Sequence, residues 1–125
     1  MRHAKKSAAI GLLLIIVFAS CSKAEEIKGD SLHGQKLYGS CTGCHSIDEN
    51  DIGPLHRGVV GRRAGSIASY TYSDALRKSR IVWTKENRDQ RLLNPQALVA
   101  GTKMFFSLST PKDRADIIAY LETQK

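Results

Sequence analysis

Cys41-Thr42-Gly43-Cys44-His45 constrains this chain more than any other stretch of its 125 residues. Residues three apart on a helical turn stand roughly 5–6 Å from one another at Cβ, so both thiols can reach one flat partner while the next residue offers an imidazole. That is the attachment pattern of a c-type haem. Cys41 and Cys44 would add to its two vinyl groups and His45 would coordinate the iron from the same turn. Other readings compete. A thioredoxin-like redox pair needs a βαβ setting, and nothing upstream of Cys41 reads as a strand. A zinc ion would draw on Cys41, Cys44, His45 and His56, although adjacent Cys44 and His45 diverge. A chance match without any cofactor is weighed only by the rest of the chain.

Arg2, Lys5 and Lys6 precede an unbroken run, AAIGLLLIIVFA, from Ala8 to Ala19. This is the charged-then-apolar order of a secretory signal, too short for a transmembrane helix of about 20 residues. Residues 1–20 are therefore expected to act as a lipoprotein-type signal, and the remainder to be exported. Cys21 is then the odd thiol, and an odd thiol in an exported protein asks for a role. Phe18-Ala19-Ser20-Cys21 resembles a bacterial lipobox, with Phe18 where Leu is usual. Acylation would make Cys21 the mature N-terminus. Ser22-Lys23-Ala24 offers ordinary cleavage instead, and an uncleaved anchor is the third reading. On the acylated reading, residues 21–29 form a tether of at most about 30 Å. The domain at 30–125 would stay at the periplasmic face of a bacterial membrane.

Removing residues 1–20 lowers Lys+Arg from 19 to 16 against 12 Asp+Glu, a net charge of +4. The bases are interleaved with acids and form no run, which argues against nucleic acid as a partner. A mild basic face suits an acidic redox partner, and a solvated surface explains the same charges. Roughly 105 residues make one domain, and only about 60–70 per cent of the unfolded surface is buried at such sizes. A large apolar cofactor would then be part of the core, and the haem-free chain is expected to fold poorly.

Asp30 or Ser31 can cap a first helix, along which Gly34, Leu37, Tyr38 and Cys41 fall at i, i+3, i+4 and i+7. Glycine on a buried stripe costs about 1 kcal/mol of helix propensity, which makes sense where another helix crosses closely. That partner is expected near the C-terminus. Pro111 suits a first turn, Ser109 or Thr110 can cap it, and Ala115, Ile117, Ile118, Ala119, Tyr120 and Leu121 give a wide apolar side. Gly53-Pro54, Gly58, Gly61 and Gly65 make residues 46–82 a region of turns, with a short helix at Ser73–Lys78. A further helix spans Thr84–Leu93, capped by Thr84 and stopped by Asn94-Pro95. Residues 97–106 read as a loop leading to the last helix. The expected class is all-α, its N- and C-terminal helices crossing, with a third helix and long loops wrapped around a covalently bound haem.

Met1 leaves with the signal, so Met104 is the only thioether of the mature chain. A lone Met is ordinarily a core filler, but this one lies in a Gly-containing loop far in sequence from His45. Here the chain resembles class I cytochrome c over essentially everything after the signal. The resemblance is carried by CTGCH at 41–45, Gly53-Pro54, GRRAG at 61–65, YTYSDA at 70–75, Trp83, Leu92 to Pro95, GTKM at 101–104 and ADIIAYL at 115–121. It implies the cytochrome c fold, one haem c bound through Cys41 and Cys44, and His45 and Met104 as axial ligands. It also implies that the Pro54 carbonyl orients His45, that Arg62, Tyr72 and Trp83 serve the haem propionates, and that Thr102 supports the Met loop.

Departures are specific. Arg88 and Arg91 stand where the family is apolar or aromatic, so either the helix is shifted or the haem wall is polar. One residue fewer than usual separates Tyr38 from Cys41, so the first helix is expected to end differently. Ala100 replaces a common proline, which would loosen the Met loop. Gln96 replaces a basic docking residue of mitochondrial relatives.

Two filled axial positions imply a one-electron carrier and not an enzyme, and the chain is expected to be a monomer. A His/Met pair raises the potential relative to His alone. The expected setting is an exported, respiratory electron-transfer chain, with membrane-bound redox proteins as donor and acceptor and the membrane itself reached through a lipid on Cys21. The alternative is a haem-based small-ligand sensor or weak peroxidase acting through opening of the Met104 loop, a reading that Arg88 and Arg91 motivate.

Overall fold

Asp30 starts the first helix by accepting from the N–H groups of Leu32 at 2.9 Å and His33 at 3.1 Å, which satisfies two of the four donors a helix start leaves free. The computed structural model describes residues 24–125. The signal at 1–20 and Cys21 with the start of its tether lie outside the described residues.

Five helices follow in chain order: α1 at Ser31–Leu37, α2 at Asp74–Lys78, α3 at Lys85–Leu93, α4 at Pro95–Leu98 and α5 at Pro111–Thr123. Among the described residues there is no strand, only an isolated bridge between Arg63 and Val82. None of the helices is long and apolar enough to cross a membrane. The expected all-α class holds.

α1 crosses α5 at Gly34. A Cβ there would collide with the carbonyl oxygen of Asp116 and come within 3.0 Å of the Ile117 nitrogen, so only glycine permits this approach. Just before α1, a Cβ on Gly29 would likewise fall on Ala115 and Ala119. Asp116 locks the crossing from a fully buried position. Its carboxylate accepts from the Asp30 N–H at 2.6 Å, pairs with His33 Nδ1 at 2.8 Å and with the Lys112 ammonium. α3 is tied to α5 by Arg114, which reaches Asp89 at 2.7 Å and the carbonyls of Leu108 and Ser109 at 3.0 and 2.8 Å. Ile117, Leu121 and Val59 are the most deeply buried aliphatics of the single core.

Three expectations about the elements change. The first helix does not carry its stripe as far as Cys41: α1 ends at Leu37 and tightens into a 3₁₀ turn at Tyr38–Ser40, which uses fewer residues per turn. Residues 95–98, expected in part to be loop, form α4, because Asn94 ends α3 and at once caps the next turn by accepting from Ala97 N–H at 3.0 Å. Thr110 occupies the N-cap of α5 without a side-chain bond. Pro111 starts that helix through its fixed φ.

Candidate cofactor site

The 3₁₀ turn delivers Cys41 into a short helical turn, in which the N–H groups of Cys44 and His45 both bond to the Cys41 carbonyl, at 3.1 and 2.9 Å. Both thiols and the His45 ring therefore face one cavity of about 280 Å³ between α2, α3, α5 and the loops. Met104, from the far loop, lines the same cavity.

His45 is held on two sides. Its Nδ1 donates to the Pro54 carbonyl at 2.8 Å. A carbonyl can only accept, so Nδ1 carries the proton and Nε2 keeps its lone pair for a metal. Gly53 is glycine because a Cβ there would lie within 2.7 Å of His45 Nε2. The ring stacks on His56, centroids 4.0 Å apart and planes 17° from parallel, and His56 Nδ1 meets the Tyr38 hydroxyl at 3.0 Å. Burial lowers the pKa of His45, opposed by the Pro54 bond and assisted by the charges of Arg88 and Arg91. The imidazole is thus neutral near pH 7. His56 is pushed well down by burial, then by the same Arg88 charge.

The zinc reading finds no support in the geometry. Among the described residues, the ligand atoms that converge within 4.8 Å belong to His33, Asp113 and Asp116, outside this cavity, and not to Cys41, Cys44, His45 and His56.

Arg62 donates through Nη1 to the Arg57 carbonyl at 3.0 Å and through Nη2 to that of Leu55 at 2.9 Å. Tyr72 accepts from the Ile67 N–H at 3.3 Å, and Trp83 is buried beneath two guanidiniums, Arg88 at 5.5 Å and Arg91 at 5.7 Å from its ring centre. α3 buries Arg88 and Arg91 into the cavity beside Leu92. The polar-wall expectation is the correct branch. Arg91 Nη2 donates to Thr102 Oγ1 at 2.8 Å, a bond that joins α3 to the loop carrying Met104. Burial lowers both guanidiniums to about 10, with Arg91 and Arg62 adding to the effect on Arg88. Both remain charged at neutral pH.

The lining is mostly apolar, and it includes Arg62, Arg88, Arg91 and Lys103 but no Asp or Glu among the described residues. Arg62 Nε, Arg88 Nε and Arg91 Nη1 are buried without a partner. Such a chamber fits a large apolar group with anionic substituents, two thiol attachments and a metal to accept His45. A haem satisfies each of these demands.

The family model described as Cytochrome c matches residues 31–125. The chain belongs to the cytochrome c family. Cytochrome c2 of Rhodomicrobium vannielii is 42% identical over 100 residues, covering 77% of this chain and 80% of that protein. The solved structure of cytochrome cH from Methylobacterium extorquens superposes with a TM-score of 0.74 at 44% identity, over 76% of this chain and 99% of the other. Ferricytochrome c2 from Rhodopseudomonas palustris gives 0.73 at 36% identity, over 77% and 99%. The protein is a class I cytochrome c with one covalent haem c, bound at the Cys41 and Cys44 spacing, and a haem electron carrier.

Two contributors to the site of this cytochrome escape a reading of the sequence. His56, which in the sequence stands out only as a candidate zinc ligand, backs His45 from eleven positions away. Gln96, which in the sequence stands out only as an absent docking charge, bonds from α4 to three residues of the Met loop: Gly101 N–H at 3.2 Å and the carbonyls of Thr102 at 2.8 Å and Met104 at 3.0 Å. Gly101, at φ 87°, supplies the left-handed turn that Gln96 grips. These bonds tie α4 to the loop that follows Ala100.

Proposed function

We propose that this cytochrome is a one-electron carrier whose iron is held by His45 and Met104, in an exported respiratory chain. When bound, the haem supplies an Fe(III)/Fe(II) couple. The observation that carries the reading is the His45–Pro54 bond at 2.8 Å in a cavity that Met104 also lines. Pro54 and Gly53 fix the imidazole, and the Gln96 clamp fixes the thioether loop. A rigid ligand set of this kind changes little when an electron arrives, and two protein ligands leave no position for a substrate. The role is therefore transfer, not catalysis.

Arg62, Tyr72, Trp83 and Thr102 line the cavity around these ligands and are proposed to receive the haem carboxylates and steady the loop. Ile52, Phe105 and Phe106 line the cavity while remaining exposed, a surface suited to transient docking of membrane-bound redox partners by a monomer. Export by residues 1–20 and a lipid on Cys21 complete the proposal. Mass spectrometry of the mature N-terminus tests the anchor, and an unmodified chain starting at Glu25 rules it out.

For the ligand set, the measurement is the far-red absorption band of ferric haem bound to methionine sulfur. Its presence near neutral pH supports the carrier. Its absence, together with fast binding of imidazole, favours the sensor or weak-peroxidase reading that the charged cavity wall motivates.

A further inference from the structure

Arg88 and Arg91 sit one helical turn apart on α3, both buried, and each keeps a buried nitrogen without a partner, Nε in Arg88 and Nη1 in Arg91. Arg62, from the loop before α2, adds a third guanidinium and a third such nitrogen. Among the described residues, none of the three belongs to an ion pair, and the cavity lining contains no carboxylate. Contact with the Trp83 face offsets only part of what a desolvated cation loses. The counter-charge must come from the group that enters the cavity.

A haem brings two carboxylates against these three guanidiniums, which leaves an excess of one positive charge inside a low-dielectric enclosure. Ferric haem carries one more positive charge than ferrous haem. Buried charges of like sign repel strongly because little water screens them, so the enclosure opposes the ferric state. The half-reaction Fe(III) + e⁻ → Fe(II) makes and breaks no bond and moves no proton, so the bias appears directly in the midpoint potential.

We propose that Arg88 and Arg91 are potential-setting residues of this cytochrome, two buried cations that receive anionic haem substituents and bias the iron toward the ferrous state. The proposal rests on the carrier reading and deepens it.

The test is a mediated spectroelectrochemical titration of the haem-loaded protein and of Arg88→Leu, Arg91→Leu and the double variant. Leucine gives the cavity wall an apolar side chain in place of the cation. Arg88→Gln and Arg91→Gln remove the same charge with a polar side chain and serve if either leucine variant loads poorly. Each single variant is expected to lower the midpoint. The double variant is expected to raise the ferric-to-ferrous ratio at a fixed potential at least tenfold, which is 59 mV for one electron. The shift should persist at 1 M salt, whereas the small effect of removing the exposed Lys36 charge should fade. Arg88→Lys and Arg91→Lys, which keep the charge, should retain most of the native midpoint. A reversible wild-type couple with unshifted or raised midpoints in the neutral variants overturns the proposal. A wild type without the far-red band or a reversible couple overturns the carrier reading instead.

Discussion

The Gln96 side-chain amide donates to the Met104 carbonyl at 3.0 Å, so a residue of α4 holds the backbone of the proposed iron ligand. The same amide also grips Thr102 and Gly101. Hydrogen bonds of this kind are worth about 0.5–1.5 kcal/mol each, and water recovers part of that on truncation. Gln96→Ala should weaken the far-red band and let imidazole bind ferric protein about tenfold more tightly, the equivalent of roughly 1.4 kcal/mol. Imidazole titration followed by absorbance is the check, and an unchanged affinity would mean that other contacts hold the loop.

Gly34→Ala tests the crossing of α1 and α5. The new methyl meets main chain, the Asp116 carbonyl, and not a flexible side-chain end, so the helices must separate. Overpacking costs about 1–3 kcal/mol, and about 2 kcal/mol corresponds to a fall in Tm of about 8–16 °C for a domain of this size. Gly39→Ala is the control, since a Cβ there meets nothing within 4 Å. Thermal melts of the two holoproteins should differ by most of that interval.

Local chemistry accounts for what is legible in the order of residues alone. Caps at Asp30 and Thr84 act within three residues, and both are found bonded as expected. The same is true of Gly34, whose place on an apolar stripe announces a close neighbour. What stays hidden depends on chain segments meeting in space. Asn94 reads as a stop signal, and its second role, restarting a helix, shows only in the folded chain. Arg88 and Arg91 leave two readings open in the sequence, a shifted helix or a polar haem wall, and only the folded chain, in which α3 turns them into the cavity, decides between them. The stacking of His56 on His45 and the Gln96 clamp arise from loops folding back, for which spacing along the chain gives no sign.

A chain that cannot attach haem should lose its fold, because the cavity would keep three partnerless guanidinium nitrogens and no apolar filling. Leaving a buried charged donor unsatisfied costs on the order of several kcal/mol, comparable to the 5–15 kcal/mol by which whole domains are stable. Cys41→Ala/Cys44→Ala purified without haem is expected to show weak helical circular dichroism and no cooperative melt. A sharp transition near that of the holoprotein would contradict this.

Acid stability should report on Asp116. Burial alone would raise its pKa, but the bond from Lys112, the Asp30 N–H and His33 outweigh that and bring it from 3.8 to about 2. A carboxylate whose folded pKa lies below its unfolded value binds fewer protons in the native state. Its contribution is therefore complete above about pH 4 and lost as pH falls through 2. With a fully buried side chain, the depression amounts to about 2 kcal/mol at neutral pH. Asp116→Asn should destabilise the protein at pH 7 and flatten the decline between pH 4 and 2, measured by denaturant unfolding of the holoprotein across that range. If the decline keeps its slope in the variant, other carboxylates carry the acid limb, and the α1–α5 crossing is held by the fit at Gly34 without help from this charge.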